Sequence, residues 1–215
     1  MVAATVSYTD AFTFSKRGKL TSQSITVCIV AKQQLVVVQA HLSLAGLARS
    51  LRISEPDAIE KFQDPRVTSW FAEIWGETLF GYRRHASSNH PGSDAQLALG
   101  PIGRFDISVR CFNKGSIRFQ KSKFIGFGRS ASADDLIASV EEVERMVIVD
   151  LRQFPLLSFY PIDSKSVLRL IRLGELTKSG LTPRRFDAWI ARDFNVVYKI
   201  IDLPIPEPPN TCGAC

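Results

Sequence analysis

The sequence predicts an α+β fold, with a single compact domain built on a mostly antiparallel sheet and several packed helices. The chain has 215 residues, of which 45% are apolar and 22% charged, a composition typical of a folded protein with one substantial core. Short β-branched runs and amphipathic helical stripes follow one another without a strict βαβ rhythm, which favours α+β. We expect residues 1–202 to form the domain, and residues 203–215, which contain four prolines, to form an extended tail.

The first third of the chain is predicted to contain three strands followed by helices. The strands fall within 4–14, 24–30 and 35–39, where β-branched residues are frequent, and the last two are a possible hairpin. Four leucines at helical spacing predict a helix over 41–52: Leu42, Leu44, Leu47 and Leu51. Ser54 and Asp64, each shortly followed by a proline, predict two further helix starts, the second leading into a mostly buried helix through residue 79.

The second half is predicted to alternate helices and strands. Residues 81–103 lack any periodicity and are predicted to be a long loop. Helices are expected to begin at Ser132, where Asp135 completes a capping box, at Asp163 and at Thr182. Strands are expected over 147–151, 156–160 and 196–201, which are short apolar runs.

Positive charge is concentrated between residues 104 and 129. This segment has seven basic residues and one acid, Asp106, a surplus equal to the formal net charge of +6 for the whole chain. The remaining residues are therefore neutral on balance. The basic residues of the segment are Arg104, Arg110, Lys114, Arg118, Lys121, Lys123 and Arg129.

The basic segment is predicted to be a β-hairpin. Two strand-like runs, 104–112 and 116–127, flank Asn113-Lys114-Gly115, which suits a three-residue loop with Gly115 in the left-handed conformation. In that register Arg110 lies opposite Arg118, an unfavourable pair unless solvent or a bound anion screens it. A two-residue loop would shift the register and remove this pair. The three-residue register predicts an anion-binding surface, and a solvated hairpin with its aromatic residues in the core is the alternative.

The sequence thus predicts a non-enzymatic protein that binds nucleic acid, with RNA or single strands favoured, within a larger assembly of protein partners or as a homo-oligomer. The sequence pI of about 9.3 favours a polyanionic partner. Basic side chains would contact phosphates while an aromatic ring stacks on an unpaired base. The predicted binding residues are Arg104, Arg110, Lys114, Arg118, Lys121, Lys123, Phe124 and Arg129, with Arg169 and Arg172 extending the surface, and Arg184 and Arg185 as further candidates.

Two other functions remain open. A peripheral structural protein of the matrix type could use the same basic face on an anionic membrane. A metal-independent nuclease could use Tyr82, His85 and His90 of the 81–103 loop beside Arg83 and Arg84.

No motif specifies a catalytic residue, a metal or a cofactor, and we expect none of these. The three histidines are not at a ligand spacing, and the strand-like run after Asp106 lacks the acid-x-Lys pattern of two-metal nucleases. No nucleotide-binding glycine motif occurs. The N-terminus has no signal-like apolar run, no stretch could span a bilayer, and the four cysteines do not suggest a disulfide framework, so an intracellular location in cytoplasm or nucleus is expected.

Overall fold

The protein has an α+β fold, as the sequence predicts. The computed structural model describes residues 4–8, 12–14, 20–22, 25–29, 32–86, 93–98, 103–120 and 132–202. Its strands are β1 Ala4–Tyr8, β2 Phe12–Phe14, β3 Leu20–Ser22, β4 Ile25–Ile29, β5 Gln33–His41, β6 Arg83–Arg84, β7 Ala95–Ala98, β8 Arg104–Phe112, β9 Arg145–Asp150, β10 Leu156–Asp163 and β11 Phe194–Asp202. Its helices are α1 Leu44–Leu51, α2 Glu55–Phe62, α3 Pro65–Phe80, α4 Ala133–Glu141, α5 Ser164–Arg172 and α6 Pro183–Asp193.

Seven of the strands form one mixed sheet in the order β11-β5-β10-β9-β8-β7-β6. Four neighbouring pairs are antiparallel, and two, β5 with β11 and β8 with β9, are parallel. The parallel pair β8 and β9 is connected through α4, which is the kind of crossover that parallel strands require. The first four strands form two separate antiparallel pairs, β1 with β4 and β2 with β3.

Helices pack on both faces of the large sheet because its central strands are apolar on both faces. Ile107 and Val109 of β8 belong to a core with side chains from α1, α2 and α3. Phe112, from the same strand, belongs to a second core with side chains from α4, α5 and α6. Alternate residues of a strand point to opposite faces, so a single strand supplies both cores.

The predicted helix starts are confirmed, because each N-cap side chain accepts a backbone hydrogen bond from its first turn. The capping residues are Ser54, Asp64, Ser132, Asp163 and Thr182. At Ser132 both halves of the capping box are present. The helix expected from residue 41 begins later, at Leu44, because β5 continues to His41.

The predicted hairpin between residues 24–30 and 35–39 is wrong. β4 pairs with β1, whereas β5 lies between β11 and β10 inside the large sheet. The loop expected over 81–103 is wrong in part, since it contains β6 and β7. Both errors concern strand pairing, which depends on residues far away in the chain.

The predicted basic hairpin is also wrong within the described residues. β8 is flanked by β7 and β9, so residues 116–120 do not pair with it. Instead Ile117 forms an isolated antiparallel bridge with Leu181. Gly115 does not adopt a positive φ. The physical reason is competition for partners: β9 occupies one edge of β8 from Ile107 to Phe112, and Ile117 reaches the core paired with Leu181 instead.

Candidate functional site

The predicted binding residues that the structure describes do not share one surface. Arg104 and Lys114 are both exposed, but Arg104 begins β8 and Lys114 follows its end. Eight residue steps along a strand separate the two ends of β8, a distance of about 26 Å. Arg169 and Arg172 are exposed in the last turn of α5, where Arg169 helps to lower the pKa of Asp193. These residues are therefore distributed over several parts of the molecule.

Arg110 forms an ion pair with Asp94 and does not lie opposite Arg118. Its Nη1 lies 3.2 Å from Oδ2 of Asp94 and donates to the carbonyl oxygen of Val109 at 2.9 Å. Only 22% of the side chain is exposed. The like-charge pair expected from the sequence is thus absent from the described residues. Four further predicted residues lie outside the described part of the chain: Lys121, Lys123, Phe124 and Arg129.

The structure does bring Arg118 to a second basic segment. The bridge between Ile117 and Leu181 consists of two backbone hydrogen bonds, of 2.8 Å from Ile117 N and 3.0 Å from Leu181 N. Gly180 permits this close approach, because a Cβ at that position would overlap the carbonyl oxygen of Ile117. Ile117 and Leu181, 64 positions apart in sequence, are therefore held side by side.

Around this bridge the exposed charged side chains are mainly cationic, and Asp187 is the exposed acid. Arg118 lies between the buried Ile117 and Phe119, so it is the solvent-facing residue of its segment. The partner segment contributes exposed residues before and after Leu181. We call the set the 117–181 surface, and its members are Lys114, Arg118, Lys178, Arg184 and Arg185.

The acids near this surface already have partners. Glu175 accepts a 2.7 Å hydrogen bond from Arg192, and Asp187 accepts two from Arg152, of 2.7 and 2.8 Å. No ion pair to any of the five cations of the 117–181 surface occurs among the described residues. The surface therefore carries positive charge that the described part of the protein does not neutralise.

An arginine network beneath the surface holds α6 against the ends of β8 and β9. Arg152 donates to Asp150, at the end of β9, and to Asp187 of α6, and these bonds raise the pKa of the guanidinium further. The guanidinium carbon also lies 5.2 Å from the ring centre of Phe112, the last residue of β8. Leu151 N donates to the carbonyl of Phe112 at 2.9 Å. These contacts give the 117–181 surface a rigid support.

A second polar cluster lies on α3, where the sequence predicted a mostly buried helix. Trp70, Glu73 and Glu77 share one face at the i, i+3, i+7 spacing. Arg84 reaches this face from β6: its Nε lies 3.1 Å from Oε2 of Glu77, and its guanidinium carbon lies 5.9 Å from the ring centre of Trp70. Trp70 is 52% exposed, so an aromatic face and a cation lie together at the surface.

Asp94 and Arg110 continue this cluster at the open edge of β8. Oδ2 of Asp94 accepts hydrogen bonds from Ser108 Oγ at 2.8 Å and from Val109 N at 2.7 Å. These bonds continue the hydrogen bonding along the edge of β8 beyond the residues that pair with β7. Burial and the nearby charge of Asp94 raise the pKa of Glu73 to about 7, although Arg84 and Arg110 oppose the shift. Glu73 is therefore a carboxyl group that titrates near neutral pH.

The structure places two of the three residues that the nuclease hypothesis named, Tyr82 and His85. Tyr82 is 1% exposed, its hydroxyl donates to the carbonyl oxygen of Glu73 at 3.1 Å, and burial raises its pKa. It is therefore a core residue. His85 Nε2 lies 2.8 Å from Ser93 Oγ, which donates to Asp106 at 3.3 Å. His90 lies outside the described residues.

The described residues hold neither a candidate metal centre nor a membrane-spanning helix. No group of three or more His, Cys, Asp or Glu side chains could hold a metal ion within the described ranges. None of the helices described is both long and apolar enough to cross a membrane.

Sequence reasoning missed two features of these sites. Lys178 was not among the predicted residues, because its segment meets Arg118 only in the folded chain. The α3 cluster was also missed, although one signal was present: Glu73 and Glu77, the two acids of α3, are spaced four residues apart.

Comparison with protein-family models, with curated proteins and with solved structures found no match to this chain.

Proposed function

We propose that the protein binds nucleic acid through the 117–181 surface, and that it prefers RNA or single strands. The observation that carries the proposal is the bridge between Ile117 and Leu181, which brings two basic segments together. The cations of these segments form no ion pair with an acid among the described residues. A phosphate backbone is the polyanion that such a surface fits, because it presents evenly spaced charges that several cations can contact together.

The proposed mode of binding is electrostatic and independent of sequence. The aromatic residues nearest to Lys114 and Arg118, Phe112 and Phe119, are each 1% exposed and belong to the core. Phe105 is partly exposed, but it lies near the start of β8, at the opposite end of the strand from Lys114. Base stacking at this surface would then depend on residues beyond the described part of the segment, such as the predicted Phe124, and Lys121 and Lys123 lie between Arg118 and Phe124 in sequence.

The salt dependence of binding follows from the number of contacts. If all five cations contact phosphates of a single strand, log K falls with log salt at a slope of about −3.5. Binding of a labelled single-stranded RNA of about 20 nucleotides would then weaken by about 100-fold between about 50 and 200 mM salt. Fluorescence anisotropy measures this directly, and polyanion and anionic-vesicle competitors separate the two partner classes.

A matched pair of double variants locates the surface. Arg118→Ala with Arg184→Ala removes two cations of the 117–181 surface, and Arg49→Ala with Lys61→Ala removes two exposed cations from α1 and α2, on the other face of the sheet. The first pair is expected to weaken RNA binding about 10-fold or more and to reduce the salt slope by about 1.4. The second pair is expected to weaken RNA binding by less than about twofold.

Three results would count against the proposal. If both double variants weaken RNA binding equally, binding depends on the net charge of the protein and not on the 117–181 surface. Absence of RNA binding at about 50 mM salt would remove the proposal, and binding to anionic vesicles instead would favour the membrane hypothesis.

Phosphodiester cleavage on the α3 face is a second candidate, because of the pKa of Glu73. A general base works best when its pKa is close to the working pH, and the pKa of Glu73 is raised to about 7. Arg84 and Arg110 would contact the phosphate, and the ring of Trp70 would stack on a neighbouring base.

Cleavage is tested separately from binding. Labelled RNA incubated with the protein and a chelator, then separated on a denaturing gel, is expected to show products that Glu73→Gln abolishes while RNA affinity is retained. Intact RNA, or equal cleavage by the variant, would reject this candidate and leave the binding proposal unaffected.

A further inference from the structure

The outer edge of β11 is the largest unpaired feature of the large sheet. β11 is nine residues long and pairs with β5 on one side. In the part of the chain that the structure describes, no strand pairs with its other side. A long open edge presents a row of backbone donors and acceptors, which proteins usually block with proline, a bulge or several charges. β11 contains no proline, and its one basic residue is Lys199.

Exposed apolar side chains are concentrated at this edge. Of the nine large hydrophobic residues that the described chain exposes, four lie on β11 and its neighbour β5: Val36, Val197, Tyr198 and Ile200. Ile200 is 72% exposed, the highest value among the nine. Val197 and Val36 are register partners, so they form one apolar patch across the two strands. Tyr198 and Ile200 extend the face of the sheet on which Val196 packs against the core.

We propose that a second copy of this chain occupies the edge, with two β11 strands pairing antiparallel about a twofold axis at Tyr198. Tyr198 is the central residue of the nine, so this register pairs every residue of the strand. A twofold axis perpendicular to the sheet keeps each face continuous across the interface. Both seven-stranded sheets then form one continuous sheet.

The side chains are self-complementary in this register. Tyr198 lies opposite its own copy, and Val196 lies opposite Ile200 of the second copy on the same face, which continues an apolar core across the axis. Lys199 lies opposite Val197. Moving the axis by one residue in either direction would pair only seven residues, and moving it to Lys199 would also place the two Lys199 side chains opposite each other, so overlap favours Tyr198 and charge disfavours Lys199.

Disulfide cross-linking tests the register. In an antiparallel pair, directly opposite Cα atoms are about 4.5 to 5.5 Å apart, within the range of a disulfide. Tyr198→Cys, in a chain with Cys212 and Cys215 replaced by serine, is expected to form a covalent dimer under mild oxidation. Ile200→Cys, on the same face, is expected to form none, because four residue steps separate it from its copy, about 14 Å along the strand.

The association itself is tested by light scattering and sedimentation of the full chain. Ile200→Lys is expected to raise the dimer dissociation constant about 100-fold, because symmetry places two lysines in the apolar interface. Leu173→Lys is the matched control, since Leu173 is 56% exposed at the end of α5 and lies outside the proposed interface. It should leave the constant within about twofold. Both sites are exposed, and circular dichroism confirms that each variant folds.

Each alternative outcome contradicts the proposal. A monomer at about 100 μM protein would mean that another part of the chain or another partner covers β11. Equal dimerisation of the two lysine variants would place the interface elsewhere. A cross-link through residue 200 rather than 198 would refute the register. None of these results depends on RNA binding.

Discussion

Glu73→Gln tests whether burial or the neighbouring arginines decide the charge of the α3 cluster. The side chain is half-buried beside Asp94, Arg84 and Arg110, and the pKa of its carboxyl is raised from 4.5 to about 7. Between these two pH values the folded protein keeps a proton that the unfolded chain has lost. The free energy of unfolding therefore falls as pH rises from 4.5 to 7, and this loss is complete above pH 7.

The magnitude follows from the size of the shift. A shift of about 2.5 pKa units corresponds to about 3.4 kcal/mol at 1.36 kcal/mol per unit. Solvent screens a half-exposed group, so the net effect is expected to be about 1 to 2 kcal/mol. Glutamine has the shape of the protonated carboxyl and cannot ionise. Glu73→Gln should therefore leave stability unchanged at pH 4.5 and raise the free energy of unfolding at pH 8 by about 1 to 2 kcal/mol.

Urea unfolding followed by tryptophan fluorescence, at several pH values from 4.5 to 8, measures the difference between variant and wild type. Taking the difference removes the contributions of other titrating groups. Glu60→Gln, which makes the same substitution at an exposed position on α2, is the matched control. A variant that is less stable than wild type at pH 8 would refute the reasoning, because Glu73 would then be charged and stabilised by Arg84 and Arg110.

Three further substitutions test the packing that supports the 117–181 surface. Gly180→Ala is expected to destabilise the protein by about 2 to 3 kcal/mol in urea unfolding, because φ at this position is +93° and the added Cβ would overlap Ile117. Gly115→Ala is the control: there is open space around this position, so the substitution should change stability by less than about 0.5 kcal/mol. Phe186→Ala should cost about 3 to 5 kcal/mol, because this fully buried ring joins α6 to the sheet, and a change below about 1 kcal/mol would contradict that packing. Ser132→Ala should lower stability by about 1 kcal/mol through loss of the capping box, which thermal unfolding can detect, and an unchanged midpoint would argue against the cap.

Local features of the fold could be predicted from the sequence because they depend on residues close together in the chain. The N-caps at Ser54, Asp64, Ser132, Asp163 and Thr182 each satisfy backbone donors within one turn, so the residue type and its spacing are sufficient. The same holds for the β-branched strand that became β5, and for the α+β class that follows from the order of such elements.

Strand pairing could not be predicted in the same way. The runs 104–112 and 116–127 predicted a hairpin because the turn residues and the alternation are local signals. In the folded chain β7 and β9 pair with β8 along its edges, and Ile117 is fully buried where it pairs with Leu181. Arg110 is consequently directed to Asp94 rather than towards Arg118.

The sequence by itself therefore determined the helix starts, the fold class and the concentration of positive charge, which are properties of composition and of short-range hydrogen bonding. The tertiary structure alone decided which cations share a surface, which acids neutralise them, and that Glu73 titrates near pH 7. The physical reason is that burial and charge pairing depend on contacts between distant segments, such as Ile117 with Leu181 and Arg152 with Asp187, and no local pattern specifies these.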